Sequence, residues 1–312
     1  MVDWSSNPHV EVRDDCSVVR SGYLYRPLKL VISANRRTCL ELHRIFRLEL
    51  YAELVNSWDF AQRLDTVNMD IRDGVLFTGD RWHWHYLIDG LANLSPAMLR
   101  AYPRIYVDAD LTDDQVVFLR DYVAALAGAA PEVVRLEGQV YAVSNVCVPF
   151  NGSTQAKVAR FRLAVDALAG APGGQGPQRV YVTRRRAATR RLIGEEALQA
   201  ILGELGFERL ENETMSLSEQ LARYRDARIV IGPHGGGLTN MVFAREPRAL
   251  VELWHSRPQP FFRSLAEALG AQWIGVEGRL AGPAADGVRV DNGDFDVDFA
   301  AVRAAVAQAA GS

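Results

Sequence analysis

The chain has 312 residues, 48% of them hydrophobic, with 35 basic against 38 acidic side chains and a formal net charge of -3. That length allows one large or two medium domains with a sizeable core. The charge balance argues against the basic surface of a nucleic-acid binder or an anionic-membrane binder.

Lys29 and Lys157 are the only lysines, so nearly every cation is an arginine, a residue suited to bidentate phosphate contact. Cys16, Cys39 and Cys147 lie far apart with no metal-ligand spacing and read as reduced thiols. The polar, acidic amino terminus has no apolar core of a signal peptide, and no run approaches the roughly twenty apolar residues of a membrane span. A cytoplasmic protein is expected, with any membrane contact peripheral.

In chain order, 28–33 and 75–78 read as strands, 83–94 as a helix and 104–107 as a strand. An amphipathic helix over 112–126 and strands over 133–136 and 140–148 follow. Segment 38–70 fits neither period cleanly. A helix over 153–169 leads into the Gly/Pro-rich stretch 171–177, the one flexible connection. Beyond it come a strand at 179–183, a helix over 194–205 ended by Gly206, and a short strand at 207–210. Ser216-Leu217-Ser218-Glu219 is a capping box opening a helix to about Asp226. Strand 228–231, a glycine turn with a short helix, strand 249–254, helix 259–269 and strand 272–276 complete the run. The tail 295–309 is alanine-rich and helical. Strands alternating with helices and no hairpin signals predict a parallel, Rossmann-like sheet in the second half. The first half reads as α/β with extra β structure near its start. The domains expected are 1–152, 153–290 and a tail helix within 291–312 that crosses back onto the first domain.

The turn Gly232-Pro233-His234-Gly235-Gly236-Gly237-Leu238-Thr239-Asn240 lies between a buried strand and a helix start. Glycine admits a ligand close to the backbone, and a helix start supplies unpaired N–H groups and the positive end of a dipole. A diphosphate is the guest expected, held by Gly235, Gly236, Gly237 and Leu238 with donors from His234 and Asn240. Five arginines fall within 184–191, where a parallel strand ends. Arg184, at the strand end, and Arg191, before the next helix, are expected to turn toward the same diphosphate; Arg185, Arg186 and Arg190 read as solvated charge. Glu252, inside an apolar run, needs a partner: ribose hydroxyls or an arginine.

On a helix, His85 and Asp89 share a face, so the carboxylate can orient the imidazole for general-base work, although a packed, hydrogen-bonded histidine fits as well. Asp108-Ala109-Asp110 has the look of a metal-binding D-x-D, but it precedes a helix-capping sequence and reads as a loop. No metal or other cofactor is expected.

Tyr181-Val182-Thr183-Arg184, Arg190-Arg191-Leu192-Ile193, Met215 to Gln220, Ile231 to Met241 and Val251-Glu252-Leu253 together resemble glycosyltransferase family 61. The family's usual Gly-Ala-Gly stands here as Gly235-Gly236-Gly237, and Gly194 replaces a frequent Asn. Trp84-His85-Tyr86-Leu87-Ile88-Asp89 is similar to the family's aromatic-His-x-x-x-Asp segment. The resemblance implies a GT-B-like α/β fold, two Rossmann-like domains facing across a cleft. It further implies an inverting, metal-independent transferase that moves a sugar from a nucleotide diphosphate sugar to a hydroxyl acceptor. The setting expected is bacterial polysaccharide or glycoconjugate biosynthesis, with a saccharide or glycoconjugate acceptor. A non-catalytic nucleotide- or sugar-binding module and a dinucleotide oxidoreductase are the alternatives. The second of these lacks the G-x-G-x-x-G spacing and its following acidic residue.

Overall fold

The computed structural model describes residues 7–26, 30–34, 39–41, 67, 69–150, 152–168, 176–256, 260–281 and 292–311. Most of segment 38–70 and most of the Gly/Pro stretch 171–177 lie outside the described residues. The chain is mixed α/β and divides into two compact units, Met1–Gly152 and Ser153–Ser312.

In the first unit, strands β1 (Val10–Val12), β2 (Cys16–Val19), β3 (Gly22–Tyr25), β4 (Leu30–Ser33) and β5 (Cys39–Glu41) precede β6 (Met69–Leu76). Then come a helical segment over 83–93, helix α1 (Pro96–Ala101), β7 (Arg104–Asp108), α2 (Asp113–Ala127), β8 (Glu132–Leu136) and β9 (Val140–Pro149). The sheet order is β5-β4-β3-β9-β6-β7-β8, with β2 on β9 and β1 on β2. Strands β9, β6, β7 and β8 are parallel; the strands before β6 are antiparallel additions. Successive parts of β9 pair with different strands, Val140–Val143 with β3 and Val146–Pro149 with β2. Between them Asn145 is left-handed, as is Asp73 on β6, and the two side chains hydrogen-bond at 2.7 Å. Asn and Asp are the non-glycine residues that accept this backbone most readily. The core includes Val19, Leu24, Ile71, Leu76, Tyr106, Tyr141 and Val146. Because β7 lies on one side of β6 and β9 on the other, the chain reverses its winding at β6. Ligands of open α/β sheets bind beyond the carboxyl ends of such strands.

The second unit runs α3 (Thr154–Leu168), β10 (Arg179–Val182), α4 (Glu195–Glu204), β11 (Glu208–Leu210), α5 (Leu217–Tyr224) and β12 (Ile229–Pro233). A 3₁₀ helix (Gly236–Phe243), β13 (Ala249–Trp254), α6 (Pro260–Ala268) and β14 (Gln272–Glu277) follow. The hairpin partners β15 (Arg279–Leu280) and β16 (Phe295–Asp296) precede α7 (Phe299–Gly311). Five strands make one parallel sheet in the order β11-β10-β12-β13-β14. Winding reverses between β10 and β12, which puts the binding edge where Arg184 and the glycine turn emerge. On one face, Tyr181, Ile231, Val251 and Ile274 meet Leu198 and Leu202 of α4 and Val302, Ala305, Val306 and Ala309 of α7. The tail helix therefore packs on its own unit's sheet. Its apolar stripe of small and β-branched side chains fits the β-branched face of the central strands. Among the described residues no helix is long and apolar enough to cross a membrane.

Candidate functional site

The turn after β12 begins where five buried strand residues, Ile229 to Pro233, deliver the chain to the carboxyl edge of the sheet. Gly232 and Gly237 are packing glycines. A Cβ on Gly232 would stand 2.7 Å from the Val182 carbonyl oxygen, and one on Gly237 would stand 2.9 Å from both Asn212 Nδ2 and Val182 Cγ1. Gly235 has a different neighbour, because its missing side chain leaves room for the Arg184 guanidinium. The segment that follows is a 3₁₀ helix rather than an α-helix. The first N–H groups of a helix have no partner within it, so the turn offers donors at Gly235 to Gly237.

Leu238 and Asn240, expected to extend that cradle, have partners within the protein. Leu238 is buried and its N–H already donates to the Gly235 carbonyl at 3.0 Å. Asn240 is fully buried and donates to Gln220 Oε1 at 2.7 Å. Gln220 Nε2 in turn donates to the Asn212 carbonyl, Asn212 Oδ1 accepts from Tyr224, and Asn212 Nδ2 reaches the Gly237 carbonyl. Asn240 thus belongs to a buried polar network that fixes the underside of the turn. Such a network rigidifies its surroundings when its members are satisfied. Asn212, Gln220 and Tyr224 carry no local sequence signal for this role, since their partners are distant in sequence.

The arginine cluster is sorted by its acidic neighbours. Arg185 and Arg186 pair with Glu211, which Arg209 also approaches, and these cations hold the Glu211 carboxyl below its usual range. Arg191 is exposed and donates from Nε and Nη2 to Asp294 Oδ2 at 3.0 and 2.7 Å, while its backbone N–H donates to Oδ1 at 2.9 Å. It is therefore engaged with Asp294, where a diphosphate contact was expected. Arg190 has a left-handed backbone and donates its N–H to the Asn292 carbonyl at 3.2 Å.

Arg184 is different. It is partly buried, donates through Nη2 to the Thr189 carbonyl at 3.0 Å, and its enclosed Nε has no hydrogen-bond partner among the described residues. No carboxylate of those residues lies within ion-pair distance of it. Burial, reinforced by the neighbouring charge of Arg190 and only partly offset by Glu213, lowers its pKa to about 10. A partly buried guanidinium in that state favours an incoming anion that would supply the missing charge and acceptors.

Glu252 does not extend toward open space for a ribose. It is fully buried on β13, paired in register with Gly232 of β12 and Gly275 of β14. Its Oε1 lies 2.5 Å from His234 Nδ1 and its Oε2 accepts from Trp273 Nε1 at 2.7 Å. His234 is also met edge-on by the buried ring of Phe262 at 5.2 Å between centroids. Trp273 completes this arrangement and was missed by sequence reasoning; the one available signal was a glutamate inside an apolar strand, which demanded a partner.

In the first unit, β6 runs through Phe77 and Thr78 into the helical segment. His85–Gly90 form a π turn followed by a 3₁₀ turn over Leu91–Asn93. Gly79 and Gly90 pack back to back, for a Cβ on either would come within 2.9 Å of the other's Cα. The Asp89 carbonyl accepts from two side chains, Thr78 Oγ1 at 2.5 Å and Asn93 Nδ2 at 2.8 Å. His85 Nδ1 and Asp89 Oδ2 are 2.7 Å apart, with the imidazole about half exposed and the carboxylate mostly covered. π turns of this kind are frequent at functional sites.

Asp108 of the D-x-D is held by Arg26 at 2.9 Å, and the loop leads into the Thr112–Gln115 capping box of α2. Among the described residues no group of three or more metal-ligating side chains is gathered.

A family model described as Glycosyltransferase 61 matches residues 82–251, from the Trp82 end of the His85 segment through the glycine turn to β13. Over 98 residues the chain is 29% identical to the EGF domain-specific O-linked N-acetylglucosamine transferase of Drosophila melanogaster. That stretch is 30% of this chain and 19% of the Drosophila protein, so the chain spans only about a fifth of that relative. With more than half of its length matched by the family model, the chain belongs to the glycosyltransferase 61 family.

Proposed function

We propose that the chain is an inverting glycosyltransferase that takes its sugar from a nucleotide diphosphate sugar. The observation that carries this reading is Arg184: a partly buried guanidinium with no carboxylate of the described residues at ion-pair distance, lying against Gly235 beside the N–H groups of a helix start. These groups suit the two phosphates and the charge that grows on them as the bond to the sugar breaks. His234 adds a ring nitrogen to the same turn. In the first unit, His85 oriented by Asp89 is the proposed base. It accepts the proton of the acceptor hydroxyl while that oxygen bonds to the anomeric carbon and the diphosphate leaves from the opposite face. Each α/β unit then carries one half of the chemistry, in keeping with a GT-B-like enzyme. A saccharide or glycoconjugate acceptor in bacterial polysaccharide biosynthesis is the proposed setting, the protein acting in the cytoplasm without a metal.

Thermal unfolding with UDP, GDP, CMP and dTDP, free and as sugar conjugates, tests the reading. At least one nucleoside diphosphate should raise the melting temperature by several degrees, since a ligand at ~100 times its Kd adds about 2.7 kcal/mol. Arg184→Ala should abolish that shift. His85→Ala should keep it and lose about 10²-fold or more in transfer. If no nucleotide shifts the protein, the donor site is misassigned; if His85→Ala transfers normally, the base is.

A further inference from the structure

The carboxylate of Glu252 is fully buried, yet no lysine or arginine of the described residues lies within ion-pair distance of it. A buried carboxylate is tolerated when its oxygens accept good donors and an opposite charge is close by. Trp273 Nε1–H can only donate, which fixes Oε2 as an acceptor. The remaining oxygen faces His234 Nδ1 at 2.5 Å. The proton between them is thereby assigned to Nδ1, and Nε2 is the nitrogen that His234 presents elsewhere. The Arg184 guanidinium lies against the adjacent Gly235, Arg190 acts on Arg184 with Glu213 opposing it, and on α6 the Phe262 ring meets the imidazole in a T-shaped contact while Arg263 lies over Trp273. A diphosphate held on the turn would set a second anion against the side of this ring opposite Glu252.

We propose that Glu252 is a positioning residue that makes nucleotide binding take up a proton at His234. The inference rests on the diphosphate reading of the glycine turn. When the diphosphate settles on the turn, Nε2 gains a proton from solvent. The resulting imidazolium lies between two anions, donating through Nδ1 to Glu252 and through Nε2 to a phosphate oxygen. The proton stays on Nε2 as the sugar leaves, so the departing diphosphate is met by a fixed cation. Trp273 holds one carboxylate oxygen by its hydrogen bond, and the register that sets Gly275 opposite Glu252 leaves room for the Trp273 ring to reach it.

Calorimetric titration with UDP and GDP at about pH 8, above the ordinary range of histidine, reads the uptake directly. The binding enthalpy is measured in buffers of different ionisation enthalpy, and its slope gives the protons taken up. The nucleotide's own ionisation is common to all variants and cancels in the comparison. The wild type should take up approaching one proton more than Glu252→Gln, which keeps the size and the acceptor but removes the charge, and Glu252→Gln should bind about tenfold more weakly. His234→Asn, at a partly exposed position with Glu252 intact, should lose the same uptake, so the test stands even if Glu252→Gln fails to fold. Equal uptake in the wild type and a folded variant, with binding retained, overturns the role of Glu252 and leaves the donor site in place. Failure of every nucleoside diphosphate to bind the wild type removes the donor site and this inference together.

Discussion

Gly232 and Gly235 lie three residues apart in one turn, and a methyl group on each would meet different neighbours. On Gly232 it would press on the Val182 backbone carbonyl at 2.7 Å, inside the strand pairing, where nothing can yield without moving β10. Overpacking of that kind costs about 1–3 kcal/mol. On Gly235 it would meet only the end of the Arg184 side chain, which is long and can turn away. Gly235→Ala should therefore leave the melting temperature nearly unchanged while weakening nucleoside diphosphate binding about tenfold or more, because Arg184 loses its place. Gly232→Ala should lower the denaturation midpoint. Chemical denaturation and nucleotide titration of the two variants separate the cases, and equal loss of binding at unchanged stability in both would contradict the distinction. The sequence presents these glycines as one cluster of equivalent residues. Only the strand pairing shows which of them serve packing and which makes room for a cation.

Among the elements, the π turn over His85–Gly90 is the one whose form matters most for the proposed chemistry. Its wider winding brings residues four apart nearly above one another, and two side chains from outside the π turn hold the Asp89 carbonyl. Asn93 and Thr78 supply the donors. Asn93→Ala should destabilise the protein by about 1–2 kcal/mol, the usual effect of leaving a buried acceptor under-satisfied. Faster hydrogen exchange confined to 85–93 would localise the effect, and unchanged stability and exchange would show the turn to be held by other contacts. A helix over 83–94 is readable from the apolar spacing, but the π turn is not, because periodicity is blind to a single change of winding. The same limit applies to β9. Its length is plain in the sequence, whereas its division between β3 and β2 depends on strands more than a hundred residues earlier. In the second unit, by contrast, alternation of strand and helix defines the parallel sheet. There the gap lies in the site: His234 follows β12, Glu252 lies on β13, and Trp273, paired with Leu250 near the start of β14, reaches Glu252 over Gly275.

At the scale of the whole molecule, the proposed donor site draws on one unit alone. Arg184, His234, Gly235, Glu252 and Trp273 all fall within Ser153–Ser312, and the core on the α4 and α7 side of the sheet is built wholly from that unit's side chains. A fragment of residues 153–312 should fold cooperatively and bind the same nucleoside diphosphate as the full chain within a few-fold. The tail helix decides whether it can. Val302, Ala305, Val306 and Ala309 cover Val251, Leu253, Ile274 and Val276, and burial of that stripe contributes about 5 kcal/mol. Domains of this size hold only about 5–15 kcal/mol in total, so loss of the helix removes a large part of the margin. A fragment ending at residue 298 should therefore lose its cooperative transition and its nucleotide binding together. Circular dichroism melts and calorimetry on the two fragments check this. A tail-less fragment that melts and binds like the longer one would mean that α7 is dispensable to the second unit.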